Sequence, residues 1–237
     1  MRKNFIKKCG IGILLLILVA VCIGCGNTSK ESEQTKKEQQ EINKNDEILK
    51  EDSSTQQEVS VEMVKKAPTT EVSAFEYEKV DGGISISSYV GTDEIVVIPE
   101  QIEGSNVVAI GEYAFANNTT IKGVMLPNKL LIIGIDAFCN CSSLQVVVCG
   151  EQLQVIDEYA FNYCEALYCI ELNDTIEELR FGSFGYAKSL KEIHIPKSVT
   201  NINSAFSGLG DTLTIIAEEG SVAEQYATEE KIPFKTE

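Results

Sequence analysis

Eight cysteines and a single histidine are the residues of this 237-residue chain best suited to chemistry. Thiolates and imidazoles hold zinc and supply nucleophiles and bases. With His194 alone, however, a histidine pair or a Cys/His zinc set has almost nothing to work with. The tightest thiol cluster, Cys139-x-Cys141 with Cys164, lacks a fourth ligand and the usual zinc-site spacing. No set of nucleophile, base and orienting group, no phosphate loop and no calcium loop is present. The 36 Asp and Glu residues read as solvated acidic faces, not as a catalytic pair. The expectation is no enzyme, no metal and no cofactor.

Three of the cysteines sit in a segment of another kind. Residues 1–25 read MRKNFIKKCGIGILLLILVAVCIGC, a basic start followed by an apolar run over residues 10–24. This is the layout of a secretory signal, and the run falls short of the about twenty residues a membrane span needs. Its end, Cys22-Ile23-Gly24-Cys25, resembles the lipobox of bacterial lipoprotein signals. The resemblance implies that Cys25 carries a lipid and becomes the first residue of the mature chain. An uncleaved membrane anchor without lipid is the alternative, and either places the remainder outside the cytoplasm.

Residues 26–74 are rich in Gln, Glu, Lys, Ser, Thr and Asn with no sustained period. Such a stretch cannot bury enough apolar surface to offset its ordering entropy, so it is expected to be a disordered tether. A flexible chain of about 48 residues reaches on the order of 40 Å. The whole chain carries a formal net charge of −16, although its first eight residues are basic. So acidic a surface disfavours nucleic acid and direct docking on a bilayer, and it discourages self-association, so a monomer is expected.

The positioning elements are read from a repeat. Phe115, Phe138, Phe161, Phe184 and Phe206 follow one another at intervals of 23, 23, 23 and 22 residues. Each follows a small residue: Ala114, Ala137, Ala160, Ser183 and Ala205. Upstream stands an apolar column, Ile110, Ile133, Ile156, Leu179 and Ile202; downstream stands another, Ile121, Leu144, Leu167 and Leu190. The pairs Val96/Ile98, Val124/Leu126, Val147/Cys149, Ile170/Leu172 and Ile193/Ile195 mark one short strand per repeat with two inward side chains. Gly111, Gly134, Asp157 and Asn203 follow the upstream column and suit a left-handed corner, whereas Arg180 breaks it and points to a distorted coil. A unit this small cannot bury its own apolar face, so the coils must stack.

Segments such as VAIGEYAF at residues 108–115, AFCNCSSL at 137–144 and IHIP at 193–196 resemble BspA-like leucine-rich repeats. The resemblance covers residues 75–237: an entry segment over 75–107, repeats over 108–216 and a cap over 217–237. It implies an α/β solenoid with 23-residue coils, short parallel strands on one face, short helical or irregular segments on the other, and a C-terminal helical cap. Within the cap, Ser221 and Glu224 have the spacing of a capping box, ahead of a helix reaching about Glu230. For function the resemblance implies a cell-surface module that binds an extracellular protein or polysaccharide. An accessory role as partner of another envelope protein is the alternative.

Once the signal is set aside, Cys139, Cys141, Cys149, Cys164 and Cys169 remain, an odd number that argues against a complete disulfide set. Small buried thiols account for them, with a Cys141–Cys164 bridge left open. The strand register also predicts a ligand surface. Residues between the inward pairs, Val97, Met125, Val148, Glu171 and His194, should face solvent, with Gly123, Val146, Cys169 and Glu192 in the next outward column. Val97, Met125, Val146 and Val148 would then form an exposed apolar patch turning polar at Glu171 and His194. Patches of this kind mark contact sites, although β-branched residues also simply suit strands.

Overall fold

A computed structural model describes residues 58–237. The signal segment, the proposed lipidation site Cys25 and the linker to residue 57 lie outside the described residues. In chain order the elements are α1 (Val61–Lys66), β1 (Phe75–Val80), β2 (Gly83–Tyr89), β3 (Ile95–Val97), β4 (Gln101–Ile102), β5 (Ser105–Ile110), β6 (Gly123–Met125), β7 (Ile132–Ile133), β8 (Val146–Val148) and β9 (Val155–Ile156). They continue with β10 (Cys169–Glu171), β11 (Glu178–Leu179), β12 (Glu192–His194), β13 (Asn201–Ile202), β14 (Thr214–Ala217), α2 (Val222–Glu230) and β15 (Phe234–Thr236).

The 23-residue period becomes a parallel solenoid. Along the front, β3, β6, β8 and β10 pair in parallel with no register slip, so Gly123, Val146 and Cys169 form one column and Met125, Val148 and Glu171 another. The front continues as a separate three-stranded ladder, β12, β14 and β15. The side opposite is more regular than the sequence suggested. Beside the irregular turn segments around each phenylalanine it carries a second parallel ladder, β2, β5, β7, β9, β11 and β13, with β1 antiparallel at its start. These rear strands are mostly two residues long, such as Ile132–Ile133 and Val155–Ile156, too short for alternation to show as a period.

The corners stack as well. The amides of Phe115, Phe138, Phe161 and Phe184 each donate to the carbonyl of the residue preceding the next phenylalanine, at 2.7–2.8 Å. Their rings form a continuous column from Phe75 and Tyr89 through Phe206 to Tyr226, with neighbouring rings from Phe115 to Phe206 nearly parallel at 4.6–5.5 Å. Tyr226 lies on α2, so the helical cap closes the aromatic column and covers the last coil. Ser221 caps α2 by accepting from the Glu224 amide at 3.3 Å. The Glu224 carboxylate returns to the Gly220 amide at 2.6 Å, one residue before the position a capping box would give.

Two sequence expectations about corners need correcting. The left-handed residues lie two before the phenylalanine (Tyr113, Asp136, Tyr159, Gly182, Ser204) and two after it (Asn117, Asn140, Tyr163, Tyr186, Gly208). Gly111 and Gly134 are not among them. A Cβ on either would sit 2.8 Å from a carbonyl oxygen of the preceding coil, so close approach, not backbone sign, demands glycine there. Nor does Arg180 distort its coil. Its amide keeps the coil-to-coil bond, to Ile156 O at 3.0 Å, while the guanidinium turns outward to Asp157 at 3.0 Å and Glu178 at 2.8 Å.

Candidate interaction surface

The front ladder alternates as the inward pairs predict. Val96, Val124, Val147, Ile170 and Ile193 are buried in the core, and the residues flanking them point out. On β3, β6 and β8, however, the outward positions are largely shut off from water. Val146 is 0 %, Val148 5 % and Val97 9 % exposed, and Met125 is only partly accessible. The cover is the chain itself. Residues 58–70, read from the sequence as linker, fold into a strap across the face. Val59 and Val64 join Val146, Val148 and Cys169 in a second apolar cluster, with Val61, Met63, Ile95, Met125 and Tyr168 packed around it.

Local sequence explains the strap. Ser60 accepts from the Met63 amide at 3.3 Å and so caps α1, while Pro68 stands beyond its end. Six residues are too few to hold a helix in isolation, so α1 depends on the surface beneath it. That surface is shaped for it. A Cβ on Gly123 would lie 2.6 Å from Val64 Cγ2 and 3.1 Å from Val59 Cγ1, so the missing side chain of Gly123 is a notch that Val64 fills.

Polar contacts fix both ends. The Val59 amide donates to Gln145 Oε1 at 2.8 Å and its carbonyl accepts from Tyr168 Oη at 2.6 Å, so both backbone groups of this one residue are held. Burial raises the Tyr168 phenol above its ordinary value, and Glu58 adds to the shift, so it stays a donor at neutral pH. Lys65 pairs with Glu171 at 2.6 Å. At the far end Thr70 bonds twice to Val97 at the rim of β3, its amide to the carbonyl at 2.9 Å and its Oγ1 to the amide at 3.1 Å.

The predicted surface residues therefore divide. Val97, Met125, Val146 and Val148 come together beneath the strap, and Glu171 anchors it. His194 lies past the covered strip, exposed, with Nδ1 3.3 Å from Glu237 Oε1. Sequence reasoning missed the strap; its signal was a Val59/Val61/Met63/Val64 cluster inside a polar tract, with the capping Ser60 within it and Pro68 after it.

Cys141 and Cys164 are free thiols, each donating to a phenylalanine carbonyl of the preceding coil at 3.1 Å. Burial raises the Cys164 and Cys149 thiols well above the ordinary range, and Cys139, desolvated beside Asp136, is pushed up to about 11. Among the described residues no group of three or more His, Cys, Asp or Glu side chains is placed to hold a metal ion.

A family model described as the BspA type leucine rich repeat region matches residues 100–224 in six copies. Among solved structures, the chain is similar to the leucine-rich repeat protein of T. pallidum, with 29% identity and a TM-score of 0.61 over 63% of this chain and 71% of that one. It is also similar to a leucine-rich repeat protein from Bacteroides ovatus, with 25% identity and a TM-score of 0.50 over 62% of this chain and 46% of that one. No curated protein matches the sequence.

Proposed function

Because the chain belongs to the BspA-type leucine-rich repeat family, we propose that it is an exported binding module, tethered to the outer face of the membrane by a lipid on Cys25, that holds a protein ligand on its front ladder. It does this by recognition alone, without catalysis. One observation carries the reading: the outward side chains of β3, β6, β8 and β10 form a contiguous apolar surface that already buries a short peptide segment. A stack of parallel strands repeats its outward positions at fixed spacing, which gives a rigid platform for side-chain pockets. The acidic balance of the chain favours a ligand with basic flanks over an acidic one.

The test is capture followed by mapping. The chain is incubated with extracellular matrix proteins and, separately, with the envelope fraction of the producing cell, and amine-reactive cross-links are located by mass spectrometry. Ligand cross-links are expected at Lys65, Lys122 and Lys235, which border the front ladder. Cross-links confined to lysines remote from that ladder, or turnover on a glycan panel, would overturn the reading.

A further inference from the structure

The strap fits its face as a ligand fits a site. Its backbone is gripped at Val59 by a carboxamide and a phenol, contacts that read the main chain and not a side chain. One side chain, Val64, enters a notch made by Gly123, the glycine that opens β6, where glycine otherwise weakens pairing. One charge, on Lys65, meets one carboxylate, Glu171. Four strands span roughly 14 Å, whereas a six-residue helix covers about 9 Å, so part of the face is covered by the strap's extended residues, where a longer helix would make different contacts.

We propose that the front face over β3, β6, β8 and β10 is a site for a short amphipathic helix from another protein, and that residues 58–70 are its resident, displaceable occupant. The partner carries on its helix a valine-sized residue for the notch at Gly123 and a lysine or arginine next to it for Glu171, and, in the extended segment just before the helix N-cap, an apolar residue for the floor formed by Val146 and Val148. Cis occupancy sets a threshold. A tethered competitor is present at an effective concentration in the millimolar range, so only a partner offering a longer apolar stripe or further basic residues replaces it. The inference rests on the protein-binding reading above and assigns the chemistry of the ligand.

The probe is a fluorescent synthetic peptide with the sequence of residues 58–70, titrated into the full chain and followed by anisotropy. Two full-chain variants release the resident strap: Val64→Asp, which empties the notch, and Lys65→Glu, which opposes Glu171. Each leaves the front ladder itself unaltered, and circular dichroism verifies its fold. Peptide affinity for either released chain should exceed that for the natural chain by about tenfold or more, and adding Gly123→Val to a released chain should abolish binding. A folded released chain that does not bind the peptide, or equal binding with and without release, overturns the inference. The peptide assay needs no natural partner. A failed capture experiment with a positive peptide assay therefore removes the proposed function and leaves the helix site standing, and the opposite pattern does the reverse.

Discussion

Val64 and Gly123 are complementary across the front ladder: the valine methyl lies 2.6 Å from where a Cβ on the glycine would be. Gly123 is therefore a packing residue, since its backbone is ordinary strand. Gly123→Ala should force α1 off its seat and cost about 1–3 kcal/mol, the range for overpacking a well-filled site. Urea unfolding measures the loss, and hydrogen exchange should show faster exchange over residues 61–66. Unchanged protection there would mean that α1 is not seated as described.

The aromatic column sets the second prediction. Phe161 is fully buried, with ring centroids 5.2 and 5.5 Å from those of Phe138 and Phe184. Phe161→Ala should destabilise by about 3–5 kcal/mol, as truncations of buried aromatics do. Denaturant titration of the variant tests this, and a loss under about 1 kcal/mol would contradict the packing.

How much of this was legible beforehand depends on periodicity. Phe115 through Phe206 and the inward strand pairs announce themselves because each recurs once per coil, and stacking demands the recurrence. Val59 and Val64 do not recur: they meet Val146 and Val148 once, over more than eighty positions in sequence. No repeat, and no local period in a six-residue helix, could have revealed that contact. The outward register was readable, and its burial was not. The left-handed corners were misplaced for a related reason: Tyr113, Tyr159, Tyr163 and Tyr186 are not residue types that signal positive φ, and the stacked coil holds them there.

The thiols give a pH dependence. In the unfolded chain a cysteine ionises near 8.5, whereas Cys139 holds its proton to about 11, and Cys149 and Cys164 also shift upward. The folded state therefore binds more protons than the unfolded one above the unfolded value, and stability falls as pH rises from about 8 toward 11. The urea midpoint should drop over that interval, and Cys164→Ala, which removes one such group, should show a shallower slope. At pH 8 the raised Cys139 thiol stays protonated and only the thiolate is nucleophilic, so iodoacetamide should label the native chain more slowly than the urea-unfolded chain.

The anchor is tested by Cys25→Ser. The variant should either leave the membrane fraction or accumulate as uncleaved precursor, read by detergent partitioning and intact mass. Unchanged partitioning with an unchanged mature mass would remove the lipid from the account.

Thr70 occupies the only hydrogen-bonding positions that the outer rim of β3 offers at Val97. An open rim on a parallel stack is a template on which further strands add, the geometry by which soluble proteins polymerise into fibrils. A side-chain hydroxyl accepts the Val97 amide without presenting a continuing row of donors and acceptors, so it ends the series there. Without Thr70, the Val97 amide and carbonyl would stand open as such a template, and this single threonine is what caps them.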